Sequence, residues 1–391
     1  MRKLTADFVY PISSPVIENG VLVIDEQGKI LEIGTRDQYD AADLEQVHGS
    51  LVPGFINTHC HLELSHMKGK VNTGTGLIPF ISNVVQFRES PTEEIQAAID
   101  AADLEMQQEG IVAVGDISNQ PDTFSRKRQS PIRYYTFVEM FDFLQDQNAK
   151  EEFAKYKAVY DALELSGSDQ KACVPHAPYS VSKTLFQLIN ATYNGKKTVS
   201  IHNQETPPEQ ELFLTGTGGF IDFYGNFGIS LEAFQPTQQT AIHYALAHMD
   251  PNHRALFVHN TLTSLEDIEA AHAWNGEVYW ATCANANLYI ENRLPDYQAF
   301  IDTNAKLTIG TDSLTSNWQL SIIEELKTIS RYQSYVPFET LLQWATLNGA
   351  EALGYATDLG SFEVDKTPGI NLLNIGAERH FTSGTTVQKL Y

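Results

Sequence analysis

Eight short apolar runs, each bounded by turn-forming residues, recur after residue 50 and constrain this chain more than any other feature. They are L-V-P-G-F-I-N at 51–57, G-I-V-A-V-G-D at 110–116, Y-Y-T-F-V-E-M at 134–140 and A-C-V-P-H-A at 172–177. T-V-S-I-H-N at 198–203, A-L-F-V-H-N at 255–260, V-Y-W-A-T-C-A-N at 278–285 and K-L-T-I-G-T-D-S at 306–313 follow. Such runs read as strands buried on both faces. Most are separated by segments of helical periodicity, as where Ile322, Leu326 and Ile329 fall at i, i+4 and i+7. Strands alternating with helices predict an α/β fold, here a (β/α)8 TIM barrel over residues 51–355. A doubly wound open sheet shares that alternation, and periodicity does not separate the two.

The pattern changes at the termini. D-F-V-Y at 7–10, G-V-L-V-I-D at 20–25 and K-I-L-E-I-G at 29–34 read as short strands, with E-Q-G-K as a hairpin turn. G-I-N-L-L-N-I at 369–375 and T-V-Q-K-L-Y at 386–391 read as strands again. Residues 1–50 and 356–391 are expected to build one small β-sandwich domain beside the barrel. Between Glu205 and the strand at 255 lies a long connection containing E-L-F-L-T-G-T-G-G-F-I-D-F-Y-G-N-F-G. Its glycines and aromatics suit a cover over a pocket, or equally a surface excursion with its own small core.

Charge narrows the partners. Lys+Arg 26 against Asp+Glu 49 gives a net charge of −23, a field that repels phosphate backbones and anionic lipid. Nucleic acid and membrane are therefore not expected partners, and solubility is the plainer use of the charge. No run approaches the roughly eighteen apolar residues of a membrane helix. Asp7, Pro11 and Pro15 interrupt any apolar leader. Cys60, Cys173 and Cys283 are far apart with no CxxC spacing, so neither a disulfide framework nor a cysteine zinc site is expected. The reading is a cytoplasmic protein acting on a small molecule, with a homodimer as the assembly open to it.

The chemistry gathers at the ends of the runs. His59 and His61, Asp116, Glu139, His176, His202, His259, Asn287 and Asp312 stand at or just beyond them, and they include five of the twelve histidines. In a barrel those ends meet at one mouth. Residues i and i+2 of a strand point to one side, so His59 and His61 face the interior together while Cys60 faces the helices. A lone HxH is more often packed core; with four more strand-end sites it reads as a clip for a divalent metal. His202 and Asp312 are the best candidates to complete the set, although Asp312 suits a helix N-cap and His202 a packed strand.

A metal in such a site lowers the pKa of water to about 7, and attack on an sp² carbon then needs a proton carrier. Glu205, three residues past His202 in H-N-Q-E, fits that work, with a solvated loop carboxylate as the plain alternative. His259 suits orientation of the attacking oxygen, and Asp312 suits base as well as ligand. His176, in the rigid corner P-H-A-P-Y-S, is expected to touch substrate, as is Glu63 at the mouth unless it is simply solvated. HExxH, the cytidine-type H-x-E with P-C-x-x-C, GxGxxG and Walker A are all absent. The fourth run carries His176 rather than a bridging lysine, which favours one metal ion over two.

P-G-F-I-N-T-H-C-H at 53–61, H-A-P-Y-S at 176–180, H-N-Q-E at 202–205, V-H-N at 258–260 and G-T-D-S at 310–313 resemble, in that order, the amidohydrolase superfamily. The branch they look most like holds the metal-dependent aminohydrolases. H-L-E-L-S at 61–65 and T-D-S-L-T-S-N at 311–317 look most like the aminofutalosine deaminases. The resemblance covers nearly the whole chain and implies metal ligation by His59, His61, His202 and Asp312. It further implies proton transfer and water orientation by Glu205 and His259, and substrate contact by His176. Asn287 is kept and joins the substrate contacts, although C-A-N-A-N at 283–287 lacks the proline usual after that cysteine. K-T-P-G-I-N-L-L at 366–373 departs from the usual Gly-Lys-x-Ala-Asp-Leu pattern in the β domain.

The expectation is a hydrolase that deaminates an amino-substituted N-heterocycle, purine or nucleoside-like, with release of ammonia. One divalent metal ion is expected: Zn2+ first, with Fe2+ and Mn2+ served by the same three imidazoles and carboxylate. Hydrolytic opening of a cyclic amide uses the same residues and stays open, and a non-catalytic metal-binding scaffold is the third reading.

Overall fold

The protein is described here by a computed structural model of residues 1–391. Two four-stranded parallel sheets carry the eight runs. In the first, β1 (Phe55–Cys60), β2 (Ile111–Ile117), β3 (Arg133–Met140) and β4 (Gln170–Pro175) lie side by side in the order β4-β3-β2-β1. In the second, β5 (Thr198–Asn203), β6 (Arg254–His259), β7 (Val278–Thr282) and β8 (Lys306–Ile309) follow the order β5-β6-β7-β8. Every residue of β1, β5 and β7 is buried, which is why no polar face interrupts those runs.

The two sheets meet at their C-terminal ends. His202 N–H donates to the His176 carbonyl at 2.9 Å on one side, and Thr311 N–H and Asp312 N–H donate to the His59 carbonyl at 3.0 Å on the other. The hydroxyls of Thr58 and Thr308, 2.7 Å apart, join the same second seam. Gly310 permits this approach. A Cβ there would stand 2.8 Å from His59 Cβ and 2.9 Å from Cys283 Sγ.

Helices fill the intervals. The helix Ile322–Tyr332 starts where the Ser321 side chain accepts Glu324 N–H, and it buries Ile322, Leu326 and Ile329 as their spacing predicts. Such a cap contributes about 1 kcal/mol. The long connection before β6 forms helices Pro207–Thr215, Gly219–Asn226 and Ala241–His248. Gly216, at φ +71°, supplies the left-handed residue that ends the first of them.

Strands from both termini share one five-stranded sheet. Ile370–Leu373 lies between Val387–Lys389 and Ser50–Pro53; Ser50–Pro53 neighbours Phe8–Val9, which in turn neighbours Ile17–Glu18. A four-stranded sheet of Ile30–Thr35, Gly20–Ile24, Arg2–Thr5 and Glu45–Gln46 stands with it. Leu4, Val9, Leu22, Ile24, Leu51 and Ile370 belong to the small core that these strands contribute. Three runs differ from their sequence reading by three residues or more, the eighth because its strand stops at Ile309, four short of residue 313. Residues 51–57 are not one strand: Ser50–Pro53 joins the terminal sheet, and β1 begins after Gly54, where a Cβ would meet Val112 Cγ1 at 2.4 Å and the Pro368 carbonyl oxygen at 2.7 Å. The seventh run ends at Thr282 because Cys283 already caps the helix Ala284–Glu291, which carries Asn287. No helix is long and apolar enough to cross a membrane.

Candidate active site

β1 ends at Cys60, and His61 opens the 3₁₀ turn Leu62–Met67, so the two histidines straddle the end of the strand. Their rings still converge. His59 Nε2 and His61 Nε2 lie 3.2 Å apart, and His202 Nε2, from β5, lies 3.3 Å from His61 Nε2. Asp312 Oδ1 stands 3.7 Å from His59 Nε2 and 3.6 Å from His61 Nε2. Ligands about 2.1 Å from a tetrahedral ion are separated by roughly 3.4 Å, so the three imidazole nitrogens are grouped as for one ion, with Asp312 Oδ1 beside two of them. Lone pairs facing one another at this distance repel unless a cation or shared protons lie between them.

The surroundings orient two of these candidate ligands, His202 and Asp312. His202 Nδ1–H donates to the His176 carbonyl at 2.9 Å and stands 3.1 Å from Glu139 Oε1, which leaves Nε2 to face the cluster. Ser316 Oγ donates to Asp312 Oδ2 at 2.5 Å, leaving Oδ1 for the histidines. Burial pushes His59 and His61 down to about 4, so both present neutral imidazoles. Burial acts on His202 in the same sense, but the Glu139 carboxylate overrides it and lifts that ring to about 10; a metal must displace this proton. Burial would raise Asp312, yet His59, His61 and His259 hold its carboxyl well below the usual carboxylate range.

Glu205 and His259 sit beside this cluster. His259 Nε2 is 3.6 Å from Glu205 Oε2, and Tyr179 OH donates to Glu205 Oε1 at 3.2 Å. His259 Nδ1–H donates to Asn287 Oδ1 at 3.0 Å, while Asn287 Nδ2 donates back to the His259 carbonyl at 3.3 Å. Burial holds His259 near 4, so its Nε2 is a bare acceptor. Burial also raises Glu205 to about 7, against the pull of His202. Gln204, His259, Asn260 and Asp312 adopt φ values of 48°, 71°, 58° and 57°. Left-handed backbone at four non-glycine residues around one site costs on the order of 1–3 kcal/mol each and concentrates where function requires it.

His61, His202, Glu205, His259 and Asp312 line the floor of a cavity of about 210 Å³, walled by Phe80, Phe141, Phe143, Phe223 and Tyr224. His176 is on its wall, with Nδ1–H donating to Ser180 Oγ at 2.6 Å. Glu63 is on the wall as well but is not a solvated loop carboxylate. It is 4% exposed, its Oε2 accepts Asn119 N–H and Gln120 N–H, and its Oε1 lies 3.8 Å from Arg88. Asn287 lies behind His259, its amide engaged there. Sequence reasoning assigned no role to Glu139, Tyr179 or Ser316. Glu139 is one of the strand-end residues already singled out, though without a role, and Tyr179 follows His176 in H-A-P-Y-S, a position that points to it as well.

The adenosine deaminase of Helicobacter pylori is 28% identical over 381 residues, covering 94% of this chain and 89% of that protein. The aminofutalosine deaminase of Helicobacter pylori, solved in complex with methylthio-coformycin, matches with a TM-score of 0.80 at 25% identity, over 96% of this chain and 93% of the other. An adenosine deaminase from Xanthomonas campestris, solved with bound zinc, shares the fold at a TM-score of 0.72 and 21% identity, over 96% of this chain and 85% of that one. The amidohydrolase family profile matches residues 50–388, a span that takes in every strand end gathered around the cavity; the chain belongs to the amidohydrolase family.

Proposed function

We propose that this amidohydrolase is a metal-dependent aminohydrolase that replaces the exocyclic amino group of a purine nucleoside-like substrate with oxygen from water and releases ammonia. The observation that carries the reading is the convergence of three imidazole Nε2 atoms and the Asp312 carboxylate beside the Glu205–His259 pair at one cavity floor. His59, His61, His202 and Asp312 would hold one divalent ion, with zinc favoured by the donor set and by the zinc in the Xanthomonas relative. Bound there, the ion supplies Lewis-acid activation of water near neutral pH.

The chain's own groups do the rest. Glu205 accepts a first proton from the attacking water and passes it to the substrate's ring nitrogen, with Tyr179 fixing its second oxygen; the second proton, from the hydroxyl then on the carbon, moves to the departing amine, which leaves as ammonia. Asn287 holds Nδ1–H of His259, so Nε2 accepts a hydrogen bond from that water and aims its lone pair at the carbon. Asp312 stands opposite as ligand and as a second acceptor. His176, its Nδ1–H committed to Ser180, offers Nε2 to a substrate N–H or O–H. The aromatic walls suit a flat heterocycle and exclude water from it. In this reading the two parallel sheets are halves of a closed (β/α)8 barrel over residues 51–355. The terminal segments 1–50 and 356–391 form a β-sandwich, supported by their shared five-stranded sheet.

The test is product analysis. Zinc-loaded protein is incubated with adenosine, 5′-deoxyadenosine, 5-methylthioadenosine and aminodeoxyfutalosine, the classes named for its relatives. Stoichiometric ammonia from at least one of them is expected. No ammonia from any of them, with a carboxylate product from a cyclic amide instead, would overturn the reading.

A further inference from the structure

Two carboxylates outside the ligand set tie the turn after β1 to the loop after β2. Asp116, near the end of β2, accepts Leu62 N–H on Oδ1 at 2.8 Å. Glu63 reaches the opposite way, its Oε2 accepting Asn119 N–H at 2.9 Å and Gln120 N–H at 3.1 Å. Each segment thus lends a carboxylate to the other's backbone. His61 is the residue just before Leu62, so its main chain is fixed by β1 on one side and by Asp116 on the other.

Lys127 stands behind Asp116. Its Nζ lies 2.6 Å from Asp116 Oδ2 and donates to the hydroxyls of Ser118 and Thr136 at 3.0 Å each. The two side chains are 2% and 0% exposed. Desolvating both charges is expensive, and an apolar pair of similar volume is often as stable, so fold stability alone does not explain such a pair. What the pair supplies is direction: with Oδ2 held by the ammonium, Oδ1 has one orientation, toward Leu62 N–H. Polar partners one step removed from a metal ligand set its orientation, and their loss typically weakens metal binding 10- to 100-fold.

We propose that Asp116, backed by Lys127, is a positioning residue for His61, locking the turn Leu62–Met67 so that the imidazole is in place before an ion arrives. The proposal rests on the metal-site reading above. Two double variants test it. Asp116→Leu with Lys127→Met removes both charges and the acceptor; Asp116→Asn with Lys127→Met removes both charges but keeps an oxygen for Leu62 N–H. Zinc affinity is measured by competition with a chromophoric chelator, with melting temperatures recorded in parallel. The leucine variant is expected to bind zinc about 10- to 100-fold more weakly than wild type. The asparagine variant is expected to bind zinc more tightly than the leucine variant but more weakly than wild type, because it keeps an oxygen for Leu62 N–H and lacks the ammonium that aims it.

A folded leucine variant with wild-type zinc affinity overturns the proposal, as does an asparagine variant as weak as the leucine one. If the leucine variant does not fold, amide exchange of metal-free wild-type protein decides. Slow exchange at Leu62 supports a turn locked in advance; exchange at open-loop rates overturns it. Failure of wild-type protein to bind zinc one-to-one would instead overturn the metal reading on which the proposal stands.

Discussion

In the proposed mechanism Glu205 carries the most exacting single-residue requirement, because there it must accept a proton near neutrality and then give it up. Its burial lifts it to about 7, within reach of both steps, and Tyr179 holds it facing His259. A group that works as a base is active only when ionised. Rate therefore rises with pH through its pKa and falls about tenfold per unit below it. A nearby cation favours the ionised form, so the acid limb of kcat/KM in the zinc enzyme is predicted at or below about 7. Glu205→Gln is predicted to lower kcat by about 10²- to 10⁴-fold and abolish that limb, with zinc content unchanged. A pH–rate profile of both proteins checks it, and a glutamine variant that keeps full turnover would remove Glu205 from the mechanism. Asn287→Ala, which frees Nδ1 of His259, is predicted to lower kcat by about tenfold or more with KM little changed. That His59, His61, His202, Glu205 and Asp312 gather in one place was legible because each stands at or just past a strand end. The left-handed φ of His259 and Asp312, and the tie between Glu139 and His202, arise from residues far apart in the chain and leave no local trace.

Elements were readable where burial on both faces writes an unbroken apolar run, as in β5 and β6, and less so where a glycine changes the chain's direction. The split at Gly54 is the clearest case: composition on both sides is strand-like, and only the third dimension shows Val112 and Pro368 closing on that Cα. Gly54→Ala is predicted to destabilise by about 1–3 kcal/mol, since the added methyl meets a backbone carbonyl as well as a side chain. Urea unfolding measures it. An unchanged midpoint would mean the two sheets are not wedged together at this residue. The run at 278–285 was long by three residues because Cys283 and Ala284 are as apolar at the start of the helix as in a strand, and only Asn285 breaks the pattern. The hydrogen-bonded turn beginning at Cys283, with Asn287 N–H donating to its carbonyl at 2.8 Å, is what ends it.

At the scale of the molecule, two parallel sheets bring residues 59, 61, 202 and 312 together across more than 250 positions of sequence, and the terminal strands pack beside them. That strands of the two termini share a sheet was an expectation of the sequence; the pairing of residues 370–373 with 50–53 was not, because residues 51–57 read as one barrel strand and short strands carry little register information. The cation should hold the strand ends together as well as serve the reaction. Chelation is predicted to abolish ammonia release and lower the melting temperature, both restored by Zn2+; ion present at a thousandfold over Kd stabilises by about 4 kcal/mol. The most direct measurement is an anomalous-difference map at the zinc edge from crystals of the zinc-loaded protein. One peak per chain is predicted, about 2.0–2.2 Å from Nε2 of His59, His61 and His202 and from an oxygen of Asp312. No peak there, or a peak bound by other residues, would contradict the account.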